Sequence, residues 1–334
     1  MLAQLRLQFG GMPSNAKLIA ASSVTRALSI IGDRWTLLIL RDAFQGAHRF
    51  EEFRNLSGAA RSTLTSRLNG LVENGLLERI RYSDAPPRFE YRLTAMGLAL
   101  YGVTLVTWRW EHNWAPSGAG IPRYLRHNLC KHAMQPDTMC SGCGKIVEVR
   151  DTGYEVVAVA GRSRAATPRF RRLSSVNAES HRGASSAFVH ITDILGDRWT
   201  PLVLCAAFLG LRRFDEIQSS LEIATNILTH RLNYLVDHNI LERRQYSERP
   251  PRYEYRLTAK GRDLFPHALM LMQWGDRWLA PAAGPNLRVF HKTCGARLNA
   301  VVACSHCHKT IDPHDVTFPP VAGESTAKRG AVAG

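Results

Sequence analysis

Two stretches of this chain carry leucines at helical spacing beside small polar and basic residues. In the first, Leu64, Leu68 and Leu71 fall at i, i+4 and i+7. That spacing puts them on one helical face and leaves Arg61, Thr63, Thr65, Ser66, Arg67 and Asn69 on the other. Ser62 is the expected N-cap and Gly75 the expected stop. Beyond it, Leu76–Tyr82 and Arg88–Thr94 predict two short strands around a Pro86-Pro87 turn. Upstream, Val24, Leu28 and Ile31 share a helical face. Gly32-Asp33 breaks that helix, and Asp33 can cap the next, which carries Trp35, Leu38, Ile39 and Asp42 and ends at Gly46. Arg49–Leu56 reads as a short helix with Phe50 and Phe53 turned inward. Thr94 is expected to cap one long helix to about Trp110, with Leu98, Tyr101, Leu105 and Trp108 on its apolar side. The predicted order, four helices, two strands and a helix, is that of a winged helix-turn-helix.

The same pattern occurs twice. Gly32-Asp33-Arg34-Trp35-Thr36 returns 164 positions later as Gly196-Asp197-Arg198-Trp199-Thr200. At that offset Phe50 meets Phe214, Arg67 meets Arg231, Tyr82 meets Tyr246, and Tyr91-Arg92-Leu93-Thr94 meets Tyr255-Arg256-Leu257-Thr258. The alignment needs no gap from Val24 to Gly97. The period is far above that of a solenoid, so a whole domain has been duplicated. The expected division is an arm at 1–21, a winged helix at 22–115, a Cys/His segment at 116–160, and a basic linker at 161–185. A second winged helix at 186–279, a second Cys/His segment at 280–318, and a tail at 319–334 follow. The expected fold class is α+β, mainly α.

Charge narrows the partner. Lys and Arg outnumber Asp and Glu by 43 to 28. An excess of that size favours a polyanion: DNA, RNA or an anionic membrane surface. No apolar run reaches the length of a membrane span. The N-terminus lacks the order of a signal peptide, and Met12 is an alternative start. The seven cysteines do not form an even disulfide set, which points to a reducing, cytoplasmic setting and to metal.

Three runs together resemble the HxlR-type helix-turn-helix transcriptional regulators, relatives of the MarR group. They are Gly32-Asp33-Arg34-Trp35-Thr36-Leu37-Leu38-Ile39-Leu40-Arg41-Asp42, then Arg49-Phe50-Glu51-Glu52-Phe53, and the order from Leu64-Thr65-Ser66-Arg67-Leu68 to Pro86-Pro87-Arg88-Phe89-Glu90-Tyr91. The second copy matches with Leu228-Thr229-His230-Arg231-Leu232 and Pro250-Pro251-Arg252-Tyr253-Glu254-Tyr255. The resemblance covers a little over half of the chain. It implies a non-enzymatic, sequence-specific regulator of double-stranded DNA. The family usually carries one such domain and dimerises, so two copies predict an intramolecular pseudo-dimer or a homodimer.

In that setting Arg61, Thr63, Thr65, Ser66, Arg67 and Asn69 are the candidate major-groove readers. Thr225, Asn226, Thr229, His230, Arg231 and Asn233 are their counterparts. The competing reading of Arg67 and Arg231 is a structural arginine that pairs with a neighbouring Glu. Arg79, Arg81 and Arg88, with Arg243, Arg244 and Arg252, are candidate phosphate contacts from the wings; the alternative is a charged hairpin edge. Trp35 and Trp199 read as packing residues. Cys205 reads as a buried small hydrophobe.

Between and after the winged helices stands a second repeat. His127-x2-Cys130-x9-Cys140-x2-Cys143 recurs as His291-x2-Cys294-x9-Cys304-x2-Cys307. Four soft ligands in short pairs suit tetrahedral zinc, so one structural zinc site per repeat is expected. His132, His306 and His308 are rival ligands. A closed four-ligand site has no open position for water, and no general base stands nearby, which argues against a metal-dependent enzyme. A redox pair or a metal-binding interaction module is the alternative function.

Overall fold

The computed structural model describes residue 19 and residues 22–116, 121–157, 188–197, 199–281 and 284–319. The expected arm, linker and tail lie outside the described residues, apart from Ile19 and Pro319.

The first repeat builds α1 (Ser23–Ile31), α2 (Arg34–Phe44), α3 (Phe50–Ser57) and α4 (Arg61–Glu73). The wing follows as β1 (Leu77–Asp84) and β2 (Pro87–Leu93), then α5 (Ala95–Leu98) and α6 (Tyr101–Trp114). Asp33 starts α2 as expected: its carboxylate accepts from the backbone N–H of Trp35 and Thr36. Gly58, at φ 66°, ends α3, and Gly75, at φ 73°, follows α4. Both adopt the left-handed conformation that glycine takes without a Cβ clash. Leu64, Leu68 and Leu71 are buried, which confirms the inward face of α4.

Two expectations are corrected. Helix α4 begins two residues early, with Ala60 at the N-cap and no side-chain cap, so Ser62 does not cap it. The long final helix is two. Thr94 caps only the four-residue α5, and α6 starts afresh at Tyr101 and runs on to Trp114. The break packs the chain against the wing's root. A Cβ on Gly97 would stand 2.2 Å from the Leu76 carbonyl oxygen, so only glycine permits that approach.

The second repeat gives α7 (Val189–Leu195), α8 (Trp199–Phe208), α9 (Phe214–Leu221), α10 (Thr225–Asp237), β7 (Leu241–Glu248), β8 (Pro251–Leu257), α11 (Ala259–Arg262) and α12 (Phe265–Trp278). Both wings are antiparallel hairpins in matching register, Leu77 opposite Leu93 and Leu241 opposite Leu257.

The halves do not stand apart. Buried residues of both form one continuous apolar core. Helix α1 of the first half lies against α12 of the second, and α7 of the second against α6 of the first. Gly275 makes the first contact possible, since a Cβ there would lie 2.4 Å from the Ser23 carbonyl oxygen. Contacts recur with the halves exchanged. The indole N–H of Trp110 donates to the Lys260 carbonyl at 3.1 Å, and that of Trp274 to the Met96 carbonyl at 2.9 Å. Each residue of the second bond stands 164 positions from its mate in the first. Such reciprocity is the signature of a two-fold interface, here within one chain.

The Cys/His segments obey the same axis. They contain β3 (Leu125–His127), β4 (Ala133–Met134), β5 (Pro136–Cys140), β6 (Thr152–Val156), β9 (Leu287–His291), β10 (Ala300–Cys304) and β11 (Val316–Thr317). Strand β5 pairs with β10, β3 with β11, and β6 with β9, all antiparallel and all between repeats. The two segments interleave as one unit.

Candidate nucleic-acid interface and metal centres

Helices α4 and α10 each bury a leucine face, and the opposite face meets solvent. Arg61, Thr65, Ser66 and Asn69 are exposed on α4, with Thr63 half-buried. Thr225, Asn226, Thr229, His230 and Asn233 are exposed on α10. These residues meet solvent together, but Arg67 and Arg231 stand apart. Arg67 Nε lies 2.9 Å from an Asp33 carboxylate oxygen, and Arg231 Nε lies 3.4 Å from Asp197. Both arginines are half-buried. A structural pairing is therefore present in both halves, with a distant Asp in place of the neighbouring Glu that was the expected alternative. The Asp of Gly-Asp-Arg-Trp caps one helix and holds the next but one by its arginine. Sequence reasoning saw the cap and missed the pair, because the two residues lie 34 positions apart.

The wings are basic and exposed. Arg79 lies over the Phe89 ring at 4.3 Å and Arg243 over Tyr253 at 4.6 Å, which stiffens both hairpins. Arg81 pairs with Asp84 at 2.9 Å, and Arg244 with Glu242 at 2.8 Å. Arg88 and Arg252 are exposed and make no ion pair with a described residue. Of the six candidate wing arginines, Arg79, Arg88, Arg243 and Arg252 form no ion pair among the described residues, and Arg88 and Arg252 are also free of a ring contact there.

The Cys/His ligands gather in two clusters, and their membership corrects the expectation of one site per repeat. One cluster holds His127, Cys130, Cys304 and Cys307; the other holds His291, Cys294, Cys140 and Cys143. Each takes a His-x2-Cys half from one repeat and a Cys-x2-Cys half from the other. Both clusters could hold a metal ion. In the first, His127 Nδ1 is 3.4 Å from Cys130 Sγ and 3.3 Å from Cys307 Sγ, and Cys130 and Cys304 sulfurs are 3.9 Å apart. In the second, His291 Nδ1 is 3.3 Å from Cys143 Sγ and 3.6 Å from Cys294 Sγ, and Cys140 and Cys294 sulfurs are 3.9 Å apart. His127 and His291 are wholly buried. The exchange follows from the strand pairing, since β5 ends at Cys140 and its partner β10 ends at Cys304. Identical spacing in both repeats could not reveal which halves join.

Buried ionisable groups cluster where the halves meet. Glu111 of α6 is 1% exposed, and its carboxylate accepts from the Ile191 backbone N–H at 2.6 Å, capping α7 of the other half. Burial pushes its carboxyl up to about 7. His267 of α12 is buried beside Thr107, 3.0 Å from its hydroxyl, and burial pushes its imidazole down to about 4. Cys205 has its thiol pushed up to about 12 by burial, in keeping with a packing role.

The HxlR-like helix-turn-helix model matches residues 30–119 and again 194–283, more than half of the chain. The chain belongs to that family. HxlR-like proteins are helix-turn-helix transcriptional regulators, not enzymes, and this chain carries two of the domains. It is 40% identical over 144 residues to a helix-turn-helix-type transcriptional regulator of Mycobacterium tuberculosis, a match spanning 43% of this chain and 91% of that protein. It is 41% identical over 91 residues to another from Synechocystis, covering 27% of this chain and 67% of that protein. Among solved structures, a transcription factor from Pseudomonas aeruginosa is 35% identical, with 42% of this chain and 95% of that chain covered and a TM-score of 0.33. Among the described residues, no helix is long and apolar enough to cross a membrane.

Proposed function

We propose that this HxlR-like chain is a one-chain pseudo-dimer that reads two DNA half-sites and is stapled by two structural zinc ions. The observation that carries this reading is the reciprocal exchange of contacts and metal ligands between the halves. A homodimeric helix-turn-helix protein presents two recognition helices by its two-fold axis, to half-sites about one helical turn (roughly 34 Å) apart. A pseudo-two-fold inside one chain supports the same presentation. Exposed Thr65, Ser66 and Asn69 on α4, and Thr229, His230 and Asn233 on α10, suit base edges and phosphates. Arg88 and Arg252 suit phosphates. Arg67 and Arg231 serve first as positioning residues, holding each recognition helix to the cap of α2 or α8. The reading faces differ between halves, so the two half-sites differ too.

Zinc fits both clusters by distance. Tetrahedral zinc with Zn–S of about 2.3 Å and Zn–N of about 2.0 Å places sulfurs about 3.8 Å apart and nitrogen about 3.5 Å from sulfur. The observed sulfur pairs at 3.9 Å and nitrogen–sulfur pairs at 3.3–3.6 Å lie close to those edges. Zinc there would neutralise thiolate charge and tie the two repeats at two points.

The test is DNA selection from a random library with the full chain, beside light scattering and metal analysis. A motif with two unequal half-sites is expected. Thr65→Ala/Ser66→Ala should weaken one half and Thr229→Ala/His230→Ala the other, each by about 1–3 kcal/mol. The free protein should scatter as a single 37.3 kDa chain and carry two zinc ions. Sequence-blind binding would end the two-half-site reading, and a metal-free, fully folded chain would end the zinc reading.

A further inference from the structure

The geometry points to a third, open metal site, formed by His132, His306 and Cys130 on the outer side of the first cluster. It extends the zinc reading above and depends on it only through the shared Cys130. His132 comes from the first repeat and His306 from the second. Their rings lie face to face, with centroids 3.7 Å apart and planes 10° from parallel, so the exposed rings must turn out of this stack to aim their in-plane lone pairs at one ion. Nitrogen donors of both rings and the Cys130 sulfur all lie within 4.8 Å of one another. The backbone holds the group in place: the His132 carbonyl accepts from the His127 N–H at 3.1 Å, and the His306 N–H points at Cys304 Sγ at 3.4 Å. His132 Nδ1 already meets the Cys130 carbonyl at 2.7 Å, so Nε2 is the nitrogen it offers.

The two-fold fails at this site. The mates of His132 and His306 are Ala296 and Gly142, neither of which can ligate. The second cluster is thus a plain closed centre, and the first has two extra imidazoles at its rim. Both imidazoles are exposed, whereas His127 inside the cluster is buried. Exposure gives an ion a path in and out, and leaves the imidazoles room to turn onto it. Three donors also leave a coordination position for water, unlike the four-donor centres. Two imidazoles and one thiolate are borderline-soft donors, which select first-row ions late in the series such as Ni2+ and Zn2+ over Ca2+ or Mg2+. A thiolate keeps lone pairs after binding one ion, so Cys130 can join both sites.

The probe is nickel added to untagged, zinc-loaded full chain freed of excess metal. Calorimetry counts the added ion, near-ultraviolet absorption detects a thiolate-to-nickel band, and elemental analysis follows zinc. The expected result is one nickel per chain, with a sulfur band and no zinc released. His132→Ala/His306→Ala should keep both zinc ions and bind nickel at least about a hundredfold more weakly, as loss of two ligands requires. No nickel uptake by the wild type, or equal uptake by the double variant, overturns the site. Loss of one zinc from the double variant overturns it too, since the histidines would then belong to the closed centre. A wild type that holds no zinc yet takes nickel with the sulfur band would keep this site and sink the zinc reading.

Discussion

Glu111→Gln should change how stability depends on pH, and the structure sets the size of the effect. Glu111 is fully buried in α6, where its carboxylate caps α7 of the other half. Removal from water is the largest influence and raises its midpoint from the ordinary 4.5 to about 7; Asp193 adds to the rise, while the Ile191 N–H and Lys260 oppose it. The sign follows from proton counting. Below 4.5 the carboxyl is protonated in both folded and unfolded chains. Between 4.5 and about 7 the unfolded chain has lost its proton and the folded chain keeps it, so stability falls as pH rises. Above about 7 both are ionised and the loss is complete. The full loss is about 3 kcal/mol for a displacement of this size. Glutamine keeps an oxygen to accept the Ile191 N–H and cannot ionise. His190 and Lys260 titrate in both proteins, so their effects largely cancel in the difference. Urea unfolding of the metal-loaded chain from about pH 5 to pH 8 reads the comparison. The wild type should lose about 3 kcal/mol relative to the variant across that range. Parallel pH profiles would refute the buried-charge argument, whatever the absolute stabilities.

Other perturbations probe separate links. Gly275→Ala forces a Cβ towards the Ser23 carbonyl and should cost about 1–3 kcal/mol by thermal unfolding, because two backbones must part; an unchanged midpoint would mean that α1 and α12 are not tightly packed. His267→Gln should flatten the acid side of the stability curve, since a buried imidazole held down at about 4 withholds stability as pH falls from 6.5 through 4. Leu68→Ala, at a wholly buried position, should cost about 2–5 kcal/mol and weaken DNA binding only as far as it unfolds α4. Arg88→Ala should weaken binding about equally across sequences and reduce the salt slope by about one; a change in preferred sequence instead would make Arg88 a base reader.

The winged helices were legible because their signals are local. Leucine spacing, the Asp33 cap and the Gly75 stop each act within one or two turns; the first two recur in the second repeat, where Asn239 at φ 56° takes the place of Gly75. The helix break after Leu98 was not, since it depends on Gly97 meeting the Leu76 backbone, a contact across the wing. The Cys/His residues of the two clusters were legible by type, and the way they group was not. Two identical ligand halves can close within a repeat or across repeats, and spacing is silent on which. Strand pairing decides it, and β5 with β10 is a non-local pairing, from Ala300 opposite Cys140 to Cys304 opposite Pro136. Arg67 illustrates the same limit at the reading face. Its place on α4 suits a base contact, yet a partner 34 positions away holds it half-buried.

The places where the two-fold breaks favour pairing within one chain over pairing of like halves. Glu111 and Gly275 are mates, and they do opposite things. Glu111 reaches across to cap α7, and Gly275 vanishes so that α1 can lie close. Two first halves brought together would put a buried carboxylate where Ser23 approaches within 2.4 Å of an added Cβ. Two second halves would leave the Ile191 N–H facing a glycine with no acceptor. The ion pairs agree. Arg34 meets Asp193 across the halves, and the mate of Asp193 is Ser29; Asp276 binds Ser23 beside Arg26, and the mate of Asp276 is His112. A buried unpaired charge or donor costs about 1–3 kcal/mol or more, so each mismatched pairing loses on several counts at once. Duplication alone would leave both halves free to pair with themselves. Divergence at these few contact positions makes the first half fit the second better than it fits itself, and that frees α4 and α10 to differ.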